Sequence, residues 1–165
     1  MKLSLRDSMH QITDPKNLTA SVREVFETML GVQCDQESWK PSLPDSMATE
    51  SVTAVVGFGG ILGGACVLRC DAATSRRMAA FMTGTEFESV DEVVRDGMGE
   101  ICNMIAGAWK SKIPELASRC VLSVPAVITG CDYRVHVQAP EFRLHQTYFF
   151  KEGSFEVMII CDSLQ

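Results

Sequence analysis

Residues 24–31 read EVFETMLG, and residues 100–107 read EICNMIAG. The glutamate at the first position, the apolar residues at the second and sixth, and the closing glycine coincide. Both segments have apolar residues at helical spacing, and a stretch rich in strand formers follows each one. A sequence that repeats one amphipathic helix in this way points to a repeated structural unit. The expected fold is therefore α+β: duplicated helix-plus-strands units, with two amphipathic helices packed on a mostly antiparallel sheet.

The residues around the first segment extend it to a helix over 18–30. Asn17 is placed to cap it, Val22, Val25, Phe26, Met29 and Leu30 share one face, and Gly31 sits where a glycine ends a helix. Residues 34–48, with two prolines and little periodicity, read as a loop. Residues 51–70, SVTAVVGFGGILGGACVLRC, read as two strands joined at Phe58-Gly59-Gly60. Asp71 is placed to cap a short helix ending near Thr83-Gly84. Ser89 and Glu92 have the spacing of a capping box, opening a helix of about twenty residues that Pro114 stops. From Cys120 onward four strands are expected: 121–129, the segment around 134–137, 142–150 and 155–161, the last two joined by a turn at 151–154. Pro125 inside a β run indicates an edge strand or a bulge.

The chain has 165 residues, 46% of them hydrophobic, which is the size of one domain able to bury a sizeable core. Its formal net charge is −6, with no basic cluster, so a nucleic-acid partner is not expected. Arg6, Asp7 and His10 interrupt the N-terminal apolar residues, so a signal peptide is not expected. No apolar run approaches the roughly 18 residues of a membrane span, and a cytoplasmic protein is expected. The seven cysteines form no C-x-x-C pair and lie at no metal-type spacing with the histidines, so they read as reduced, buried thiols. The glycine-rich stretch 57–64 lacks the G-K-[ST] ending of a phosphate loop, and Leu62 stands where a dinucleotide fingerprint needs its third glycine. It reads instead as a hairpin that lets a helix approach the sheet. Arg76 and Arg77 read as a solvated face, Trp109 as core, and Trp39 lies in the long loop.

On a wheel of about 100° per residue with Asp96 at zero, Glu100 falls at roughly 40°, Asn103 at roughly −20° and Gly107 at roughly 20°. Val94, Met98, Ile101, Ile105 and Ala108 gather on the far side. One narrow outward stripe thus carries two carboxylates, an amide and a glycine that would allow another backbone to come close. Gly97 and Gly99 each cost about 1 kcal/mol relative to alanine inside a helix, which calls for a packing or functional reason. Spacing alone leaves the stripe an ordinary solvated face.

The pattern D-x-x-x-E-x-x-N, here Asp96, Glu100 and Asn103, resembles the signature of the CheC/CheX/FliY family of chemotaxis phosphatases. The first helix, VREVFETMLG, resembles the CheX branch, and the order of elements agrees over most of the chain. The family pattern also has a proline downstream of the asparagine, and Pro125 lies in that region. The resemblance implies a single CheX-like domain over 1–165, with a CheC-like fold. The implied reaction is hydrolysis of the aspartyl-phosphate of a CheY-type receiver, with Asn103 holding the attacking water and Glu100 pairing with the receiver's lysine. Asp96 and Gly107 would support or dock. No cofactor of its own is implied, since the receiver brings Mg²⁺; a homodimer joined through sheet edges is.

In the first helix Ala20, Glu24 and Glu27 occupy the matching positions. A carboxylate at 27 has no N–H₂ donor and would repel a phosphoryl group, so one active site per chain is expected, with Glu24 and Glu27 solvated. Two alternatives remain open: a module that docks on a receiver or flagellar-switch component without catalysis, and a structural or small-ligand domain.

Overall fold

The alternating and β-branched residues of 51–70 form a long hairpin in the computed structural model, which describes residues 5–36, 49–138, 141–151 and 153–165. Strands β2 (Ser51–Gly60) and β3 (Leu62–Asp71) pair antiparallel, and the chain reverses at Ile61, later than the glycine pair suggests. Strand β1 (Asp35–Gln36) precedes them, so the start of the expected loop is a short strand. The rest of that loop, with Trp39, lies outside the described residues. After β3 come β4 (Cys120–Leu122), β5 (Ala126–Gly130), β6 (Phe142–Phe150) and β7 (Gly153–Leu164). The sheet order is β1-β6-β7-β3-β2, with β4 and β5 both paired to the outer side of β2. Exchanging β1 with β5, β2 with β6 and β3 with β7 maps that order onto its own reverse. The repeat in the helices is therefore matched by a two-fold arrangement of the strands about the β3–β7 pair.

Among the described residues five α-helices accompany the sheet: α1 (Met9–Ile12), α2 (Pro15–Val25), α3 (Ala72–Thr83), α4 (Glu92–Ser111) and α5 (Pro114–Ala117). Residues 5–12 are thus helical, which their polar sequence conceals, because among them only Leu5, Ser8 and Ile12 turn inward. Helix α2 starts earlier than expected. Asp14, not Asn17, caps it by accepting the Lys16 N–H at 2.9 Å, and Pro15 fills the first turn, where no amide is needed. Its last turn, Phe26–Leu30, is a π-turn closed by Gly31 at φ 66°. Asp71 caps α3 as expected, and Gly84 ends it. Residues of α2, its π-turn and α4 form one core with the sheet, in which Phe26 stacks on Phe155 at 4.6 Å and Trp109 lies against Phe58 at 5.4 Å. No described helix is long and apolar enough to cross a membrane.

Two strand expectations need correction. Residues 134–137 belong to no strand; the segment 131–138 runs across the other face of the sheet, where Val137 packs on Ala65, Val67, Met158 and Ile160. Tyr133 and Thr53 share a hydroxyl hydrogen bond at 2.7 Å there, and Arg143 donates to the Val137 carbonyl at 2.9 Å. Alternation reports an extended chain with one side down, and such a chain can cover a sheet without pairing into it. The run 121–129 is broken into β4 and β5 by Ser123-Val124-Pro125. Proline has no N–H for the ladder, so the break falls at the sheet's outer edge, as a proline requires. The glycine-rich hairpin tip also differs from expectation, because its close neighbours are strands. A side chain at Gly60 would collide with the Arg119 carbonyl, and one at Gly64 with that of Ile160.

Candidate functional site

Helix α4 begins at Glu92, and its cap is Asp91, whose carboxylate accepts the Val94 N–H at 3.0 Å. Ser89 does not serve, because the residue next to the first turn already supplies an acceptor for the free amides. From that start the twenty residues of α4 run without a break to Ser111. Val94, Met98, Ile101, Cys102, Ile105 and Trp109 are buried, so the apolar arc inferred from the sequence is the one that faces the sheet. On the opposite arc Asp96 and Glu100 are exposed, while Asn103 and Gly107 are half-buried. The stripe is in place, one turn separating each polar member from the next.

Of the three glycines of α4, Gly99 alone has a tight packing reason. A side chain at Gly97 would meet the Met82 sulfur of α3 at 3.6 Å. One at Gly99 would stand 3.2 Å from Pro125 Cβ and 3.5 Å from Val127 Cγ2. Gly107 has Leu122 Cδ1 at 3.9 Å from such a position, which is ordinary contact. Pro125 therefore touches the motif helix at the residue before Glu100 and four before Asn103. Sequence spacing gave the proline a location along the chain but could not bring it to this helix; that depends on β4 and β5 pairing to β2.

Among the described residues, the side chains of Asp96, Glu100 and Asn103 take part in no hydrogen bond or ion pair within the chain. Their chemistry is available to a partner. The matching positions of the first helix differ. Ala20 and Glu27 are exposed, but Glu24 is held in an ion pair by Lys112 just past the end of α4, so it is engaged where simple solvation was expected. The glutamate equivalent to Glu100 is thus occupied by the chain's own lysine, and the asparagine position carries a carboxylate.

The cysteines take no part in the stripe. Six of the seven are buried and Cys131 alone is exposed. Burial, with a smaller push from Asp35, raises the Cys34 thiol to about 12, and burial raises Cys161 to about 11. Cys102, next to Asn103, points into the core with its sulfur 3.5 Å from the Cys66 carbonyl oxygen. A groove of about 480 Å³ lies elsewhere, lined by Arg77, Phe81, Glu86 and Lys151 among others, and includes no stripe residue. A polar stripe on a helix surface, outside that groove, suits a protein partner better than an engulfed small molecule.

The family model for the chemotaxis phosphatase CheX matches residues 52–148, which takes in α4, the β4–β5 break and most of the sheet. The chain belongs to the CheX family. It is 28% identical over 120 residues to the CheY-P phosphatase CheX of Thermotoga maritima, covering 72% of this chain and 76% of that one. The crystal structure of CheX from Vibrio vulnificus superposes with a TM-score of 0.74 at 20% identity, over 89% of this chain and 95% of that one. CheX of Borrelia burgdorferi, in a complex with CheY, BeF₃ and Mg²⁺, superposes at 0.64 with 20% identity, over 92% of this chain and 99% of that one. These likenesses establish the CheC-like α+β fold.

Proposed function

We propose that this CheX-family protein hydrolyses the aspartyl-phosphate of a CheY-type receiver, using Asn103 and Glu100 of α4. The observation that carries this reading is a stripe whose polar side chains have no partner within the described chain, on the helix of a family named for this reaction. Hydrolysis of an acyl phosphate needs a water in line with the bond to the aspartate oxygen. The leaving carboxylate is already a good leaving group, so positioning provides most of the acceleration. The Asn103 amide can hold that water through both its donor and its acceptor, without the charge that would repel phosphoryl oxygens. Glu100, one turn earlier and exposed, pairs with the receiver's active-site lysine and fixes the register of docking. Asp96 and Gly107 lie at either end of the stripe and support that docking. The receiver supplies Mg²⁺, and this chain contributes no cofactor. The same reading carries a cytoplasmic location and a homodimer joined through sheet edges.

The test uses a receiver phosphorylated by a small phosphodonor in Mg²⁺, with loss of the phosphoryl group followed over time. The wild-type protein accelerates that loss. Asn103→Ala lowers kcat by roughly 100-fold or more while retaining binding, the scale expected when a positioned reactant is released. Glu100→Ala chiefly weakens binding. Binding without acceleration across a panel of receivers overturns the phosphatase reading and leaves a docking module.

A further inference from the structure

The break between β4 and β5 leaves an apolar side chain in water, next in the chain to the proline that rests on the stripe's helix. Val124 is 88% exposed, more than any other large apolar residue described. Both of its neighbours are fixed. The Ser123 N–H donates to the Gly57 carbonyl at 2.9 Å, and the Ser123 hydroxyl oxygen accepts the Gly57 N–H at 2.8 Å. That two-way bond replaces the ladder contacts which proline cannot make. On the other side Pro125 has a ring-fixed φ and rests against the glycine at position 99 of α4. Val124 is therefore held in place by a clamp to β2 on one side and to α4 on the other.

The remaining exposed apolar residues of this edge belong elsewhere. Val121 and Ile128 pair with Gly59 and Thr53, on the parity of β2 that faces the covering segment 131–138. Val124 is outside the ladder and immediately precedes the proline that rests on α4. Across the stripe, Val93 of α4 is 49% exposed and falls at roughly 60° on the same wheel, whereas Gly99 with its proline falls at roughly −60°. The polar stripe thus has Val93 on one flank and the Val124-Pro125 segment on the other, the arrangement of a contact whose rims exclude water from a charged centre.

We infer that Val124 is a specificity-determining contact for the receiver: held by the Ser123 and Pro125 clamp, it packs on an apolar side chain beside the receiver's phosphorylation site and helps select which receiver is bound. The inference rests on the phosphatase reading for the identity of its partner. Because the side chain is preorganised, little ordering accompanies its burial. The asparagine governs the chemical step, and the valine governs occupancy.

Steady-state hydrolysis with Val124→Asp and Val124→Ala tests this, alongside the affinity for a beryllofluoride-activated receiver and sedimentation of the free protein. Val124→Asp should raise KM and Kd by roughly ten-fold, the scale of one buried valine, with kcat within about two-fold of wild type. Val124→Ala should give a smaller rise of the same kind. Unchanged KM and Kd overturn the inference. So does a change of oligomeric state at constant Kd, which would assign the valine to a second copy of this chain. If wild type binds a receiver but does not hydrolyse its phosphate, the phosphatase reading fails and the Kd comparison alone decides for Val124. Failure to bind any receiver of a genome-wide panel overturns both.

Discussion

At the scale of single residues, the two glycines that flank Met98 separate propensity from packing. A methyl group at Gly97 would sit 3.6 Å from a flexible methionine sulfur and 4.0 Å from Ala79 Cβ, both ordinary contacts. Gly97→Ala should therefore raise stability by about 0.5–1 kcal/mol through helix propensity, seen as a higher urea midpoint. At Gly99 the methyl group would stand 3.2 Å from Pro125, whose ring is anchored and cannot swing aside. Gly99→Ala should show no such gain, and equal rises for the two variants would refute the clamp on Pro125. The sequence disclosed both glycines as anomalies within a helix but not the difference between them. It did disclose the stripe, because periodicity fixes which side chains share a face. That Glu24 would be held by Lys112 was not legible, since the pair joins two helices far apart along the chain.

At the scale of elements, helices and the long hairpin were readable because caps and periodicity are local properties. Their errors were shifts in the capping residue: Asp14 for Asn17, and Asp91 for Ser89. The segment 131–138 was misread because its pairing, or lack of it, depends on which strands already occupy the sheet. Its attachment makes a prediction. Thr53 is fully buried, and its hydroxyl bonds to Tyr133 at 2.7 Å. Tyr133→Phe leaves that hydroxyl without this partner and should cost about 1–2 kcal/mol in urea unfolding, with phosphatase activity retained. A variant as stable as wild type would show that the covering segment contributes nothing through this bond.

At the scale of the whole molecule, the two-fold strand order sets two equivalent helices on one core, and they differ in what they present outward. Both copies supply a helix to the common core, but only α4 keeps an amide and an unengaged glutamate outward. The same core gives a pH dependence that belongs to no single element, because its thiols lie on several strands. Cys34 is raised from 9.0 to about 12 and Cys161 from 9.0 to about 11, in both cases chiefly by burial. Burial pushes Cys70 and Tyr148 up as well. A thiol with a raised folded pKa is neutral in both states below pH 9, so the native state keeps its full stability there. Between pH 9 and about 11 to 12 the unfolded chain releases the proton while the folded chain retains it. Stability must then fall as pH rises, by up to about 1.4 kcal/mol per pH unit for each such group. Urea midpoints measured under reducing conditions should be level from pH 7 to 8.5 and drop steeply above 9. Cys70→Ala removes one titrating group and should make that drop shallower. A midpoint unchanged up to pH 10.5 would mean that the thiols are not neutral, closely packed members of the core.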